Sequence, residues 1–147
     1  MTSTITMHVT TSSRLARTAG LTTLAALATN LAVFGLARAR DVNFEFPKPG
    51  SASGTQTVTA ATVAAVTVLA LVVGWAVAAL AATRRRPTMH TMAIIGGAFA
   101  VVSTLAPLTV DSGLSVKLTL ASLHLIAGAF YTAGIVGLRR ASARATL

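Results

Sequence analysis

Residues 18–37, 49–83, 87–110 and 118–138 carry no Lys, Arg, Asp or Glu, and together they occupy most of a 147-residue chain. This patterning limits the fold more than any other feature. A helix rises about 1.5 Å per residue, so roughly 20 apolar residues cross the ~30 Å hydrocarbon core of a bilayer. No water reaches the backbone there, so a single segment must bond its own amides, which a helix does. The runs predict an all-α, membrane-spanning, up-down four-helix bundle with spans at about 19–37, 57–82, 88–110 and 118–138.

Composition excludes the main rivals. Hydrophobic residues make up 54% of the chain and charged residues 10%, against about 25% charged in soluble domains. The longest segment outside the runs, from Arg38 to about Thr57, is too short for a core of its own. One transmembrane domain over residues 14–140 is expected, with cytoplasmic tails at 1–13 and 141–147. The net charge of +9 does not point to nucleic acid, because no aromatic residues are interleaved with the basic ones for base stacking. Cysteine is absent, which removes disulfides and thiolate metal sites.

The charges divide by side of the membrane. Arg14, Arg17, Arg84, Arg85, Arg86, Arg139, Arg140 and Arg144 fall on one side with no acid. Arg38, Arg40, Lys48 and Lys117 fall on the other with Asp41, Glu45 and Asp111, leaving +1 there. Short cytoplasmic loops retain Lys and Arg, so both termini and the central arginine loop are expected in the cytoplasm of a bacterial plasma membrane protein. Anionic lipid head groups at Arg84–Arg86 are the expected electrostatic partners. The Thr- and Ser-rich segment 1–13 has no apolar period and is expected to be poorly ordered. Span one with its flanking Arg14 and Arg17 imitates a secretory signal, but its apolar run exceeds a signal core and Arg38 interrupts the small-residue triplet, so retention is expected.

Small residues mark candidate packing faces. Ala25, Ala28, Thr29 and Ala32 share one side of span one. Ala70, Gly74 and Ala78 form a ladder in span two, of the kind that brings transmembrane helices together. It serves intramolecular packing or an oligomer contact, or arises by chance in Ala-rich sequence with no special role. Gly96 and Gly97 in span three, and Gly128 with Gly134 and Gly137 in span four, extend the set. Pro107 denies the Ser103 carbonyl its helical partner and is expected to bend or end span three, with Ser103 or Thr104 helping to satisfy the freed group.

Every span also offers a polar side chain at similar depth. His124 lies roughly 10 Å and Asn30 about 12 Å from the outer ends of their helices. Thr67, Ser103 and Thr104 fall in the same layer. Unpaired polar groups in hydrocarbon cost several kcal/mol, so these should turn inward. Interhelical bonding is the plainest role; a pocket where His124 and Asn30 contact a lipid or other hydrophobic molecule, or proton movement through His124, are the alternatives. No cofactor or metal is expected: His8, His90 and His124 lie too far apart along the bundle to share a haem iron, and no nucleophile with a base, glycine-rich phosphate loop or carboxylate pair is found. In the outer linker, Val42, Phe44 and Phe46 alternate with Asp41, Asn43 and Glu45, which suggests an extended piece on the membrane or over the bundle mouth, or else a solvated loop.

Four short motifs, Asp41-Val42-Asn43-Phe44-Glu45-Phe46-Pro47, Gly74-Trp75, Leu105-Ala106-Pro107-Leu108 and Leu120-Ala121-Ser122-Leu123-His124-Leu125-Ile126-Ala127-Gly128, are in hand. In their order the chain resembles a family of small, uncharacterised four-span membrane proteins of actinobacteria, a domain of unknown function. The resemblance implies four helices in a cell membrane and no activity. The favoured expectation is a non-enzymatic structural, accessory or envelope-sensing component, with homo-oligomer or membrane-protein partners; a lipid or small-molecule binder is the runner-up.

Overall fold

Each uncharged run contains a long helix in the computed structural model, which describes residues 3–47, 54–83 and 89–144. Helix α1 covers Ser3–Arg38, α2 Ala60–Thr83, α3 Met89–Ser103, α4 Leu105–Thr109 and α5 Leu114–Arg144, while strands β1 (Glu45–Pro47) and β2 (Thr55–Thr57) lie between α1 and α2. Four stretches are long and apolar enough to cross a membrane: Ser13–Arg38, Ala60–Ala82, His90–Thr109 and Leu114–Ala141. The shortest has 20 residues and reaches about 30 Å. The outward residues are those of a lipid-facing surface, with Leu24, Leu69, Ile94, Phe99 and Leu118 all exposed.

Helix α5 packs along both α3 and α1, and α1 along α2, whereas α2 meets α3 and α5 far more sparingly. The bundle is therefore closed on three edges and loose on the fourth, between α2 and α3. This open edge positions the candidate site.

Several boundaries differ from the sequence expectation for physical reasons. Helix α1 starts at Ser3, so the backbone of residues 3–13 is helical where a poorly ordered tail was expected; extending an existing helix is far easier than nucleating one. Span two starts at Ala60 and not near Thr57, because Thr55–Thr57 pair as a strand and Thr59 caps the helix, its Oγ1 accepting from the Thr62 amide at 3.1 Å. Helix α5 begins at Leu114, four residues early, and carries half-buried Lys117 in its first turns, where a long side chain can reach the interface. The core stripe of α1 is Ala26, Asn30 and Phe34; Ala28 and Ala32, on the expected small face, point outward.

Pro107 acts earlier than its own position. The helix breaks at Thr104, whose amide bonds Val101 O at 3.1 Å, and resumes as α4 with Pro107 buried. The Ser103 and Thr104 hydroxyls do not serve the carbonyl freed by Pro107; they donate to Ala100 O and Val101 O at 2.8 and 2.6 Å.

Two apolar clusters fill the bundle. Toward the end where α1 starts and α5 finishes lie Ala26, Leu71, Trp75, Ala78, Met92, Ala93, Tyr131 and Ile135. Toward the strands lie Phe34, Phe44, Val63, Val116 and Leu123. On α2 the stripe Val63, Thr67, Leu71, Trp75 and Ala78 runs through both, and Thr67 is its polar rung. The stripe of α1 does the same with Asn30.

The linker closes one mouth of the bundle. Helix α1 ends with Val42 N–H bonding Ala37 O and Asp41 N–H bonding Arg38 O, both at 3.1 Å. Asp41 occupies the left-handed region at φ 59°, the position that helices of this termination usually give to glycine. The turn sends the chain back over the bundle, where Phe44 and Phe46 are buried while Asp41, Asn43 and Glu45 are exposed. Phe44 stacks on Phe34 with ring centroids 4.7 Å apart. β1 and β2 pair antiparallel, Glu45 opposite Thr57 and Pro47 opposite Thr55. Of the two readings of this alternating segment, the one that caps the mouth holds.

Candidate functional site: a polar layer between two hollows

Between the two apolar clusters lies a layer of polar side chains contributed by all four spans. Asn30 is 1% exposed, and its Nδ2 donates to Thr67 Oγ1 at 2.9 Å and to the Leu123 carbonyl at 3.3 Å. A carbonyl only accepts, so the bond to Leu123 fixes which end of the amide faces it. One side chain thus ties α1 to α2 and α5. Across the bundle, His124 Nδ1 and Ser103 Oγ stand 3.0 Å apart and tie α5 to α3. Leu123 and His124 are neighbours in sequence, so the pairs Asn30–Thr67 and Ser103–His124 meet on one turn of α5.

The layer brings Asn30, Thr67, Ser103 and His124 together and leaves Thr104 aside, its hydroxyl spent on its own helix. Sequence reasoning missed the Leu123 carbonyl, since a main-chain acceptor has no residue signature. His90 is exposed at the start of α3, away from the layer. Arg84–Arg86 lie outside the described residues.

Two hollows flank His124. One, of about 170 Å³, is bordered by Asn30, Val63, Thr67, Leu123 and His124. The other, of about 280 Å³, follows the loose edge between α2 and α3 from Ser103 and His124 down to Tyr131. Ala70, His124 and Ala127 border both. Neither hollow has an Asp, Glu, Lys or Arg in its walls.

Glycines shape the second hollow. The Tyr131 ring of α5 lies between Gly74 of α2 and Gly96 of α3: a Cβ on Gly74 would stand 3.2 Å from the ring, and one on Gly96 would overlap it. Tyr131 also packs on Trp75, with centroids 5.3 Å apart. A Cβ on Gly128 would collide with Ala100, so that glycine lets α5 approach α3. Gly97 is less constrained, its nearest neighbour being Thr132 Oγ1 at 3.7 Å. Along the ladder, Ala78 is buried, Gly74 is half-buried and Ala70 is exposed. The ladder admits an aromatic ring from α5 and does not bring two backbones together along its length. Gly134 proves as crowded, a Cβ there standing 2.8 Å from Trp75 and 2.9 Å from Thr22.

A lipid-facing exterior, an internal polar layer and four membrane-length helices define an α-helical multi-pass membrane protein. Residues 10–144 match the family of unknown function DUF6069, and the chain belongs to that family. Comparison with curated proteins and with solved structures gives no significant match.

Proposed function

We propose that this protein is a non-enzymatic component of a bacterial plasma membrane that holds a lipid chain or another apolar small molecule in the cleft between α2 and α3. One observation carries this reading: the bundle leaves about 280 Å³ unfilled along a single loose edge, with glycine and aliphatic walls and the His124–Ser103 pair at one end. Membrane helices pack closely when small residues face one another. Here the small residues Ala70 and Gly74 border a hollow, which suits a guest. The cleft is near the lower end of the size range of small-molecule pockets, in keeping with part of an acyl chain or a compact hydrophobic molecule.

In this reading both termini face the cytoplasm, where Arg14, Arg17, Arg139 and Arg140, with Arg84–Arg86, meet anionic head groups. An accessory role is the second reading, supported by the same loose edge, which would also seat a bulky side chain from a second copy or another membrane protein.

Native mass spectrometry from mild detergent separates the two. Binding predicts a discrete added mass below that of a protein, lost in Ala70→Phe, whose ring would occupy the hollow from an exposed position. A defined protein partner in place of that mass supports the accessory role. Monomer without any adduct, in wild type and variant alike, refutes the binding reading.

A further inference from the structure

The two hollows lie end to end. The smaller runs along α2 past Thr62 and Val66 to Ala70, and the larger continues past Gly74 to Val77. These residues recur at intervals of three and four, so they trace one face of the helix. From Thr62 to Val77 that face is about 22 Å long. The hollows share Ala70, His124 and Ala127, and two of the three are alanines, which narrow the junction little. No part of α4 meets α2, so α4 does not cover the groove at the end that carries the strands.

The two ends of the groove differ in character. Lys117, His124 and Tyr131 recur every seven residues and therefore stack on one face of α5. Half-buried Lys117 stands one turn before Leu120, at the strand end. At the deep end Tyr131 is 8% exposed, its ring lodged between Gly74 and Gly96. Between the ends, Thr67 and His124 are engaged with Asn30 and Ser103, and no Asp, Glu, Lys or Arg lines either hollow.

We propose that the two hollows form one groove that seats a single extended acyl chain of about 16 carbons. The chain belongs to a lipid of the leaflet on the strand side, with its polar head beside Thr62 and Lys117 and its tip stopped by Tyr131. This rests on the binding reading above and names the class of ligand and the residue that sets its length. Two measures give that length. With C–C bonds of about 1.5 Å, an extended chain advances about 1.3 Å per carbon, so the face of α2 takes roughly 17. If each methylene occupies the ~30 Å³ that a water molecule has in the liquid, hollows of about 170 and 280 Å³ take roughly six and nine. Half of the hydrocarbon core is about 15 Å thick, so the groove reaches past the midplane and only a long, straight chain fills it. A cationic, hydroxyl-bearing mouth above uncharged walls matches a lipid whose head stays at the interface.

The test offers the intact wild-type protein, in one non-ionic detergent, equal concentrations of lysophosphatidylcholines with saturated decanoyl to icosanoyl chains, and reads the adducts by native mass spectrometry. Retention should peak at palmitoyl or stearoyl and fall at least about fivefold toward either end, because a short chain leaves contacts unmade and a longer one meets the Tyr131 ring. The direction of the chain is read from Trp75, the single tryptophan, which packs on Tyr131 with ring centroids 5.3 Å apart. Bromine at the tip of a palmitoyl chain should quench its emission more than bromine near the carboxyl end. Neither measurement depends on a variant. In Tyr131→Leu the stop recedes, and the optimum should move to chains longer by about two carbons. Equal retention at all lengths, stronger quenching from the carboxyl-end bromine, or a folded Tyr131→Leu protein with an unmoved optimum overturns the inference while leaving the binding reading intact. If no chain of any length is retained, the binding reading itself fails and this inference falls with it.

Discussion

Replacing Gly96 by alanine adds one methyl group in a place where the fold has no room for it. The new Cβ would overlap Tyr131 at Cε1 and Cδ1. A small shift of the ring toward α2 is open, because Gly74 carries no side chain there. The ring nevertheless lies close enough to Gly74 that a Cβ would stand 3.2 Å from Cε2, and Trp75 packs on it with centroids 5.3 Å apart, so clearing the new methyl group disturbs the packing on α2. Overpacking of this kind costs about 1–3 kcal/mol. Alanine also gains about 1 kcal/mol over glycine in a helix interior, and that gain is shared by any Gly→Ala change in these helices. Gly97→Ala is therefore the control, since its Cβ would meet nothing nearer than Thr132 Oγ1 at 3.7 Å. The difference between the two variants isolates the steric cost, about 2 kcal/mol or roughly 30-fold in the folding equilibrium. Unfolding by SDS mole fraction, followed by Trp75 emission, measures it. In a Tyr131→Leu background the obstacle is gone, and the difference should fall below about 0.5 kcal/mol. Equal stability of Gly96→Ala and Gly97→Ala, or a difference that survives in the Tyr131→Leu background, would refute the wedge described for Tyr131.

Three further changes probe other parts of the fold. Asn30→Leu keeps the volume but leaves the Thr67 hydroxyl and the Leu123 carbonyl without their donor, so stability in the same titration should fall by about 1 kcal/mol; no change would mean that water replaces the amide. Phe44→Ala empties a fully buried site under the strands and should cost about 3 kcal/mol, read as faster hydrogen exchange at the Val58 amide, which bonds Phe44 O at 3.0 Å. Asp41→Gly relieves the left-handed backbone at φ 59° and should stabilise the protein by about 0.5–1 kcal/mol, whereas Asp41→Val should destabilise it; the same sign for both would show that the turn does not set the cost.

The spans could be read from the sequence because a charge is so costly in hydrocarbon that its absence over 20 residues is itself a signal. The depth of the polar layer followed by counting residues from the charged flanks of Asn30 and His124. Which polar groups pair did not follow, since depth fixes height and leaves the rotation of each helix open. In water, apolar periodicity would supply that rotation, but lipid-facing residues such as Leu69 and Val72 are as apolar as buried Leu71, so the pattern is erased. The same loss hid the core stripe of α1 and drew attention to Ala28 and Ala32. The seat of Tyr131 had partial signals, a lone Tyr, a lone Trp and scattered glycines, yet only the packed bundle shows that Gly74 and Gly96 face the same ring. Pro107 marked a real break and misplaced it by three residues, because the helix yields where hydroxyls at Ser103 and Thr104 can dress the exposed carbonyls.

The reach of Asn30 from α1 to α5 bears on how the chain is made. Its two proton acceptors arrive at different moments of synthesis: Thr67 with α2, and the Leu123 carbonyl only when the final helix leaves the translocon. Until then the amide has one hand empty, and the half-built molecule carries an open polar seam along its flank. Ribosome-bound chains cut before Leu114 should consequently be turned over by membrane proteases faster than chains that include α5, and an equal lifetime would show that the seam is already closed.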